Sequence, residues 1–532
     1  MRLPTALIPL EGPVFRSLWF AWLAANMTMW MNDVASAWLM TTLTDSAVMV
    51  ALVQSASTLP VFLLGLPSGA LADITDRRLY LASTQLWVAA VSLLTAALAF
   101  ADALSAELLL SLTFLNGIGL AMRWPVFAAI VPEVVTKGQL PAALALNGIS
   151  MNLSRVVGPT IAGALLAGAG TAWVFVLNAV VAIGALVVIL RWRSVKKPTM
   201  LPGERFFGAM RIGLQHVRES PRVRAVTLRV FLFSLQMSAL VALMPLVARR
   251  LSGAGPGMFT LLLATMGTGA ITAALLLPRW RARLDRDRIV LWGSLLHAAA
   301  SAAVALAPAT WIALPAIFMV GMAWISTANT LSTAAQLALP NWVRARGMAV
   351  YQMALMGGTA LGATLFGNVA ARFGVQAAIV SAAVAGVLLL PVVRRWSVGG
   401  KDVNLDPAPT NDVPEPVAPV HPDEGPVMVT VEYHINPAHA AEFVEVMQLT
   451  RAARLRRGAL SWGLFRDTAI HGCYLEYFLH ENWLEHLRRL ERFTTADAEL
   501  RERRLAFHIG EQPPVRKRYV GNHRYLVRQA AS

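Results

Sequence analysis

Apolar stretches about as long as a membrane-spanning helix recur along most of this chain. Short polar or charged turns separate them, and a helix needs about 20 mostly apolar residues to cross a bilayer. The pattern predicts an all-α membrane protein with about twelve transmembrane helices in two six-helix halves, residues 15–192 and 225–395. The predicted spans are 17–42, 47–72, 79–101, 107–131, 141–167, 172–191, 225–248, 257–278, 289–308, 311–336, 347–371 and 374–393.

The pattern changes between the halves and again after residue 396. Residues 192–224 mix apolar side chains with arginine, which suits an amphipathic helix on the inner membrane surface, with a solvated linker as the alternative. Residues 397–425 are rich in proline and predict an extended tether. The predicted domains are therefore a domain of membrane-spanning helices (1–396) and a soluble domain (426–532).

The soluble domain has the alternation of a small α+β fold. Its elements follow the order β-α-β-β-α-β, which predicts a ferredoxin-like domain. The predicted strands are 427–434, 459–466, 473–479 and 515–521, and the predicted helices lie within 437–454 and 481–507.

Charge agrees with a membrane location. Only 14% of the residues are charged, against about 25% in a typical soluble protein. The net charge of +16 comes mostly from loops on one side, which places both termini in the cytoplasm of a bacterial inner membrane. Topology and membrane lipid therefore account for the charge, and no nucleic-acid partner is expected. Arg249, Arg250 and Arg372 are exceptions at predicted outer ends.

Several classes of chemistry lack their residues. The single cysteine, Cys473, excludes an intrachain disulfide and argues against a cysteine-based metal site. No Gly-x-x-x-x-Gly-Lys-Ser/Thr loop is present, which disfavours ATP-driven pumping. We expect no metal and no cofactor.

Ionisable residues inside the predicted spans are the strongest functional candidates. Asn26, Trp30 and Asp33 are spaced i, i+4, i+7 and share one helical face. Asp33 is a candidate proton-coupling or substrate group, with a structural carboxylate as the alternative. Arg123 and Arg155 each need a partner or an anionic substrate, and Asp33 with Arg123 is the preferred pair. Arg155 has a structural role as its alternative.

Two motifs carry a family resemblance. The turn after the second span resembles the corresponding loop of the major facilitator superfamily, and implies an inner gate in which Asp73 contacts partner helices and Arg77 forms an ion pair. Gly158-Pro159-x-x-Ala162-Gly163 resembles the fifth-helix motif of antiporters in that superfamily, with Ala162 in place of a glycine, and favours efflux. The turn motif comprises Gly69, Asp73, Asp76, Arg77 and Arg78; the helix motif comprises Gly158, Pro159 and Gly163.

The resemblance over about 15–395 narrows to the siderophore-exporter branch, related to the enterobactin exporter and to transmembrane secretion effectors. It rests on Ala37-Trp38-Leu39, Leu43-Thr44-Asp45-Ser46, Leu59-Pro60, Leu71-Ala72-Asp73, Asp76-Arg77-Arg78, Pro132-Glu133, Gly158-Pro159 and Arg346-Gly347.

The soluble domain is similar to antibiotic-biosynthesis monooxygenase domains, which usually dimerise. Trp483 and His486 follow the pattern of their late helix, and His434 and Trp462 complete a candidate pocket. Packing or surface roles are the alternative for all four residues.

Together these features predict a secondary active exporter that exchanges protons for small molecules such as siderophores or drugs, and not an enzyme. The alternative is a membrane-tethered enzyme or sensor whose soluble domain carries the main activity.

Overall fold

The computed structural model describes residues 5–136, 138–192, 206–252, 256–340, 342–399, 404–408 and 419–521. A 3-10 helix (Thr5–Glu11) comes first. The helices that follow are α1 (Pro13–Leu43), α2 (Ala47–Ile74), α3 (Arg77–Phe100), α4 (Ala106–Val134), α5 (Leu140–Gly168), α6 (Thr171–Arg191), α7 (Phe206–Glu219), α8 (Pro221–Ser252), α9 (Pro256–Arg281), α10 (Arg286–Leu306), α11 (Thr310–Leu337), α12 (Arg344–Phe373) and α13 (Val375–Val393).

Within the described residues, ten of these helices, α2–α6 and α8–α12, are long and apolar enough to cross a membrane. A shorter apolar stretch, Val375–Pro391, lies in α13. The 31-residue α1 is not among the ten because Asn26, Asn32 and Asp33 interrupt its apolar sequence. The predicted fold class, an all-α membrane protein with about twelve membrane helices and a small α+β domain, is confirmed.

Short polar caps start several of these helices. The Ser105 side chain accepts a hydrogen bond from the backbone N–H of Leu108 at 3.2 Å, and Asp285 accepts one from Arg288 at 2.7 Å. Such caps satisfy backbone donors that the first helical turn leaves without an intrahelical partner. The turn residues seen in the sequence therefore set where each helix begins.

Contacts divide the chain into two compact units. The first contains Met1–Phe206, Val226–Ala334 and Tyr351–Gly399. The second joins the C-terminal residues to α7 and to the segment before α12, as Phe207–Ala225, Ala335–Val350 and Gly400–Ser532. The predicted domain borders stay predictions, because much of the predicted tether lies outside the described residues.

One hydrophobic cluster of the first unit draws side chains from both halves. It includes Met31 and Ala35 of α1, Leu243 of α8 and Phe366 of α12, all at most 4% exposed. Glycine allows some of these helices to approach closely. A Cβ added at Gly362 would lie 2.3 Å from a backbone oxygen of α8, so α12 tolerates no larger residue there.

The second unit contains a four-stranded antiparallel sheet in the order β2-β3-β1-β4. This order and the β-α-β-β-α-β succession are those of a ferredoxin-like fold, as predicted. The strands are β1 (Val427–His434), β2 (Ser461–Arg466), β3 (Cys473–His480) and β4 (Val515–Val520), and the helices are α14 (Ala440–Arg456), α15 (Trp483–Glu491) and α16 (Thr495–Leu505).

Alternation along β1 defines an inner and an outer face of this sheet. Val429, Val431 and Tyr433 are at most 3% exposed and pack with Phe443 of α14 and Phe478 of β3. These residues form the inner face, which the helices cover. Residues at the intervening positions of each strand form the outer face.

The predicted amphipathic segment does form a helix, α7, but protein covers part of its apolar surface. Ile212 is 1% exposed and Val217 is 6% exposed. Val217 packs with Leu339 and Val343 inside the second unit. Leu214, at 56% exposure, is the exposed one among the large apolar side chains of α7 that the structure describes. The predicted placement of the apolar face on the membrane surface is therefore wrong for Ile212 and Val217.

Candidate transport site

Arg123 of α4 contacts the polar face of α1 but does not pair with Asp33. Its guanidinium donates to the Asn26 side-chain oxygen and to the Ala25 carbonyl, both at 3.3 Å. Asp33 hydrogen-bonds Ser57 of α2 instead. Seven residues of α-helix span about 10 Å, so a guanidinium at Asn26 is too far from Asp33. Since the described residues contain no Asp33–Arg123 ion pair, the predicted pair is wrong.

Arg155 of α5 lies between tryptophans from opposite halves. Its Cζ atom is 5.4 Å from the ring centroid of Trp30 on α1 and 4.7 Å from that of Trp324 on α11. Tyr351 of α12 also interacts electrostatically with this guanidinium. Among the described residues no carboxylate pairs with Arg155, and its Nε has no hydrogen-bond partner. A cation held by aromatic rings alone can accept an anionic group.

Trp324 and Tyr351 were not identified from the sequence. A tryptophan within an apolar span has the same local pattern whether it faces lipid or the opposite half. Only the packing of α11 and α12 brings these two side chains to Arg155.

The small residues of α5 permit two different close contacts. A Cβ added at Gly158 would lie 2.9 Å from the Cβ of Trp30, within the first half. At Gly163 it would lie 2.0 Å from Thr260 Oγ1 of α9, in the second half. The helix continues through Pro159. Gly163 therefore permits contact between the halves, and its role in antiport stays a prediction.

The halves also meet near the end of α1 that is predicted to be outside. Trp38 stacks on Phe259 of α9 with centroids 5.8 Å apart. Arg249 of α8 donates to the Thr41 carbonyl at 2.8 Å and lies 3.7 Å from Asp45. This contact gives Arg249 a structural reason to lie at a predicted outer end.

The turn between α2 and α3 acts as a helix cap. The Asp76 carboxylate accepts a hydrogen bond from the Arg78 backbone N–H at 2.9 Å. The Arg78 guanidinium donates to the carbonyl of Leu190 on α6. The side-chain surroundings of Gly69 and Asp73 lie outside the described part of the chain, so the gate contacts stay a prediction.

The second half contains an ion pair between α8 and α10, which was not identified from the sequence. Arg229 of α8 lies 2.9 Å from the Asp287 carboxylate at the start of α10. The same carboxylate accepts hydrogen bonds from the Ser397 hydroxyl (2.6 Å) and from the backbone N–H groups of Val398 (3.0 Å) and Gly399 (2.9 Å). Asp287 thus ties the segment after α13 to α8 and α10.

In the second unit, a buried carboxylate organises the inner face of the sheet. Glu476 of β3 is fully buried and accepts four hydrogen bonds, from Tyr433, from Trp462 and twice from Arg454, at 3.0 to 3.3 Å. Burial alone would raise the pKa of Glu476, but the Arg454 and Arg504 guanidiniums outweigh it and lower this pKa to about 2.

We expect Glu476→Gln to destabilise the second unit by about 3–5 kcal/mol, because it leaves Arg454 buried without a counter-charge. Thermal unfolding of the full-length protein, followed by tryptophan fluorescence, measures the loss. Glu499→Gln on the exposed side of α16 is the control. Equal unfolding temperatures for the two variants would contradict this role of Glu476.

Because the folded-state pKa of Glu476 lies below its ordinary value of 4.5, its stabilisation is present above about pH 4.5 and is lost as the pH falls towards 2. Glu476→Gln should lack this part of the pH dependence, and wild type should show it in the same unfolding assay.

The residues of the predicted soluble-domain pocket do not converge. Trp462 lies on the inner face and donates to the buried glutamate described above. Trp483 and His486 stack at 5.2 Å in α15 and are buried. His434 lies on the outer face, 3.1 Å from Glu432. One pocket therefore cannot hold all four side chains.

Three potential metal ligands do lie together on the outer face. Single ligand atoms of Glu432, His434 and Cys473 are within 4.8 Å of one another. Burial and the nearby Glu432 raise the pKa of the Cys473 thiol, which disfavours the thiolate that metals bind. The Glu432–His434 ion pair and the Cys473–Glu432 contact at 3.9 Å account for the arrangement.

The first unit is thus a two-half bundle of membrane helices with a cationic aromatic site where the halves meet, which is the architecture of a membrane transporter. Solved transporters share this fold. A bacterial homologue of the human lysosomal transporter Spinster superposes with a TM-score of 0.57 at 16% identity, covering 74% of this chain and 97% of that one. A nucleoside transporter NupG variant gives 0.60 at 11% identity, with 72% and 99% covered.

The transmembrane secretion effector family matches residues 4–525, and the chain belongs to this family of the major facilitator type. It is 24% identical over 273 residues to macrolide efflux protein A of Streptococcus pyogenes, and 23% identical over 255 residues to the staphyloferrin A transporter of Staphylococcus aureus. These alignments cover 49% and 47% of this chain, and 65% and 63% of the relatives, which is less than two thirds of their length. The protein is accordingly a multi-pass membrane protein of this family, with the fold of the solved transporters.

Proposed function

We propose that this protein exports anionic, amphipathic small molecules, siderophores ahead of drugs, across the bacterial inner membrane in exchange for protons. The observation that carries the proposal is the position of Arg155 between Trp30 and Trp324. A guanidinium binds carboxylates and other oxyanions through paired N–H donors, and flanking rings pack against the apolar part of a substrate.

The two halves share this site, which suits alternating access. Trp30 and Arg155 belong to the first half, while Trp324 and Tyr351 belong to the second. When one half rocks against the other, Arg155 must change its distance from Trp324, so binding and conformational change are coupled. Contacts at Gly163 and at Trp38 would break and re-form in the same step.

Asp33 is the proposed proton carrier. It lies one helical turn beyond Trp30 and hydrogen-bonds Ser57, which can act as donor to the carboxylate or acceptor from the carboxylic acid. With both termini in the cytoplasm, the turn at Asp76 lies on the inner side and the contacts at Thr41 lie on the outer side. Protons would then reach Asp33 from the outer side and move in the direction opposite to the cargo.

The relatives bear on the choice of substrate. One carries the name of a macrolide exporter and another that of a staphyloferrin A transporter. A cation without a carboxylate partner favours an anionic siderophore over a macrolide as the cargo of this chain, because an anion would neutralise the buried charge.

Transport by purified protein in liposomes tests the function. We expect uphill movement of an anionic siderophore when the compartment receiving it is the more acidic, and none after the gradient is collapsed with an ionophore. A macrolide run in parallel should move more slowly. Movement of neither compound under any gradient would overturn the proposal.

The alternative hypothesis, that the protein is a membrane-tethered enzyme, has less support. Its candidate pocket residues divide between the two faces of the sheet, with His434 on the outer face and Trp462 on the inner face.

The outer face of the sheet supports dimerisation through the second unit. Phe465, Leu475 and Tyr519 on this face are 58%, 38% and 47% exposed, and apolar patches of this kind mark interaction sites. We expect Phe465→Glu to convert a dimer into a monomer in light scattering of the full-length protein in detergent. Leu449→Glu, at 50% exposure on α14, is the control and should leave the mass unchanged. A mass that Phe465→Glu leaves unaltered would rule out this interface.

A further inference from the structure

A small cavity in the second unit is lined mainly by arginine. It lies between α14, α15, α16 and β4, and it has a volume of about 30 Å³. Asp497 is the one acidic side chain among its lining residues. The arginines of the lining are Arg454, Arg457, Arg489, Arg501, Arg504 and Arg516.

Most of these cations are removed from water. Arg454, Arg457, Arg489 and Arg504 are only 5 to 8% exposed. Burying a charge is costly unless an opposite charge and hydrogen bonds compensate it. The partner of each guanidinium therefore needs to be identified.

The acidic groups nearby are already engaged. Glu476 accepts two hydrogen bonds on each oxygen, from Arg454, Trp462 and Tyr433, which fills the roughly four acceptor positions of a carboxylate. Asp497 caps its own helix through Thr494 and lies 3.9 Å from Arg457. Glu476 therefore has no acceptor position left for another guanidinium, whereas the contacts of Asp497 all fall on its Oδ2 atom.

Three of the lining arginines lie over aromatic rings. Arg454 and Arg489 lie over Phe478 at 4.2 Å and 5.5 Å, and Arg457 lies over Phe493 at 5.2 Å. Arg504 has no such ring and forms no hydrogen bond or ion pair with any residue that the structure describes, and its Nε is buried without a partner. The Arg504 guanidinium therefore lines the cavity at 6% exposure with an electrostatic interaction with Glu476 but no hydrogen bond among the described residues.

The side chains that line this cavity make its electrostatic environment positive. Burial, helped by Arg454 and Arg504 and opposed by Asp497, lowers the pKa of Arg457 to about 10. Burial and the neighbouring Arg454 also lower the pKa of Arg504. Burial is the largest cause of both shifts and the neighbouring guanidiniums act in the same direction, whereas Glu476 raises the pKa of Arg454.

We infer that this cavity binds one oxyanion group, a phosphate or a carboxylate, with the Arg504 guanidinium as its principal donor. A buried water needs about 10–15 Å³ of such volume, so the cavity holds the equivalent of two or three waters, which suits one oxyanion group. A larger ligand would extend past Arg501, which is only partly buried. Arginine forks match oxyanion geometry through paired N–H donors.

Phosphate titration of the full-length protein in detergent tests this site. We expect sodium phosphate to raise the unfolding temperature of the second unit more than sodium chloride of equal ionic strength, and calorimetry to show saturable binding. Arg504→Gln should weaken phosphate binding at least tenfold. Arg503→Gln, on the exposed side of the same helix, should bind phosphate as wild type does.

Two further arms identify the source of the oxyanion and guard against misfolding. In one arm citrate replaces phosphate, and stabilisation by citrate identifies a soluble carboxylate as the source. In the other arm delipidated protein receives short-chain phosphatidylglycerol, and stabilisation by this lipid identifies a lipid headgroup as the source. If Arg504→Gln does not fold, Arg501→Gln at the cavity mouth should weaken binding severalfold. Equal responses to phosphate, citrate, lipid and chloride in wild type would overturn the inference, whatever transport assays show.

Discussion

Asp33→Asn is expected to abolish proton-driven accumulation while leaving the protein folded and inserted. One pH unit across the membrane stores about 1.4 kcal/mol per proton, enough for about a tenfold concentration ratio when one proton is exchanged. Asparagine cannot release a proton, so the ratio in liposomes should fall to about one. Substrate should still equilibrate down its own gradient, because the amide preserves the shape and the hydrogen bond to Ser57.

Asp102→Asn provides the matched control. Asp102 is an exposed residue in the turn after α3, and asparagine tolerates its positive φ of 51°. This variant should accumulate substrate as wild type does. If Asp33→Asn instead moves substrate uphill with undiminished dependence on the gradient, another group carries the proton.

Arg155→Gln is expected to weaken substrate binding about a hundredfold. A buried charge-assisted interaction with an oxyanion contributes about 3 kcal/mol, and each 1.4 kcal/mol corresponds to a factor of ten. The protein itself should stay folded, because no carboxylate of the described chain depends on this guanidinium. Calorimetric titration with an anionic siderophore measures the change.

Arg155→Lys separates charge from shape. Lysine keeps the positive charge but loses the planar fork and its stacking on Trp30 and Trp324, so binding should weaken by an intermediate factor. Arg16→Gln, at an exposed position of α1, should bind as wild type. Unchanged affinity in Arg155→Gln would show that Arg155 does not bind the substrate. Arg123 would then be the remaining candidate.

Local pattern was enough to predict most elements of this fold. The apolar runs have the length of a bilayer crossing, and the strands of the soluble domain alternate with period two. Both signals are properties of consecutive residues, so they can be recognised without knowing which other elements pack against them. The helices α1–α6 and α8–α13 and the strands β1–β4 accordingly appear within a few residues of the predicted bounds.

Pairing between elements was harder to predict. Asp33 and Arg123 were matched because each was an ionisable group inside a span, yet Arg123 bonds Asn26 and Asp33 bonds Ser57. Sequence spacing orders residues along one helix but carries no information about the depth at which another helix presents its side chains. For the same reason, the contacts of Trp324, Tyr351 and Asp287 were not predicted from the sequence.

The second unit shows a related effect. Apolar residues of α7 have the spacing of a membrane-surface helix, but Val217 packs against Leu339 and Val343. An amphipathic face must be covered, and its pattern does not specify whether lipid or protein covers it. The contacts of α7 become visible only when distant segments are brought together.

By itself, the sequence determined that this is a two-half membrane protein with a ferredoxin-like domain, because helix length, strand alternation and turn motifs are local properties. Only the tertiary structure decided which charges meet. It placed Arg155 between Trp30 and Trp324, separated Arg123 from Asp33, and gathered the arginines around Arg504. Those contacts depend on the rotation and depth of packed helices, and no stretch of consecutive residues encodes them alone.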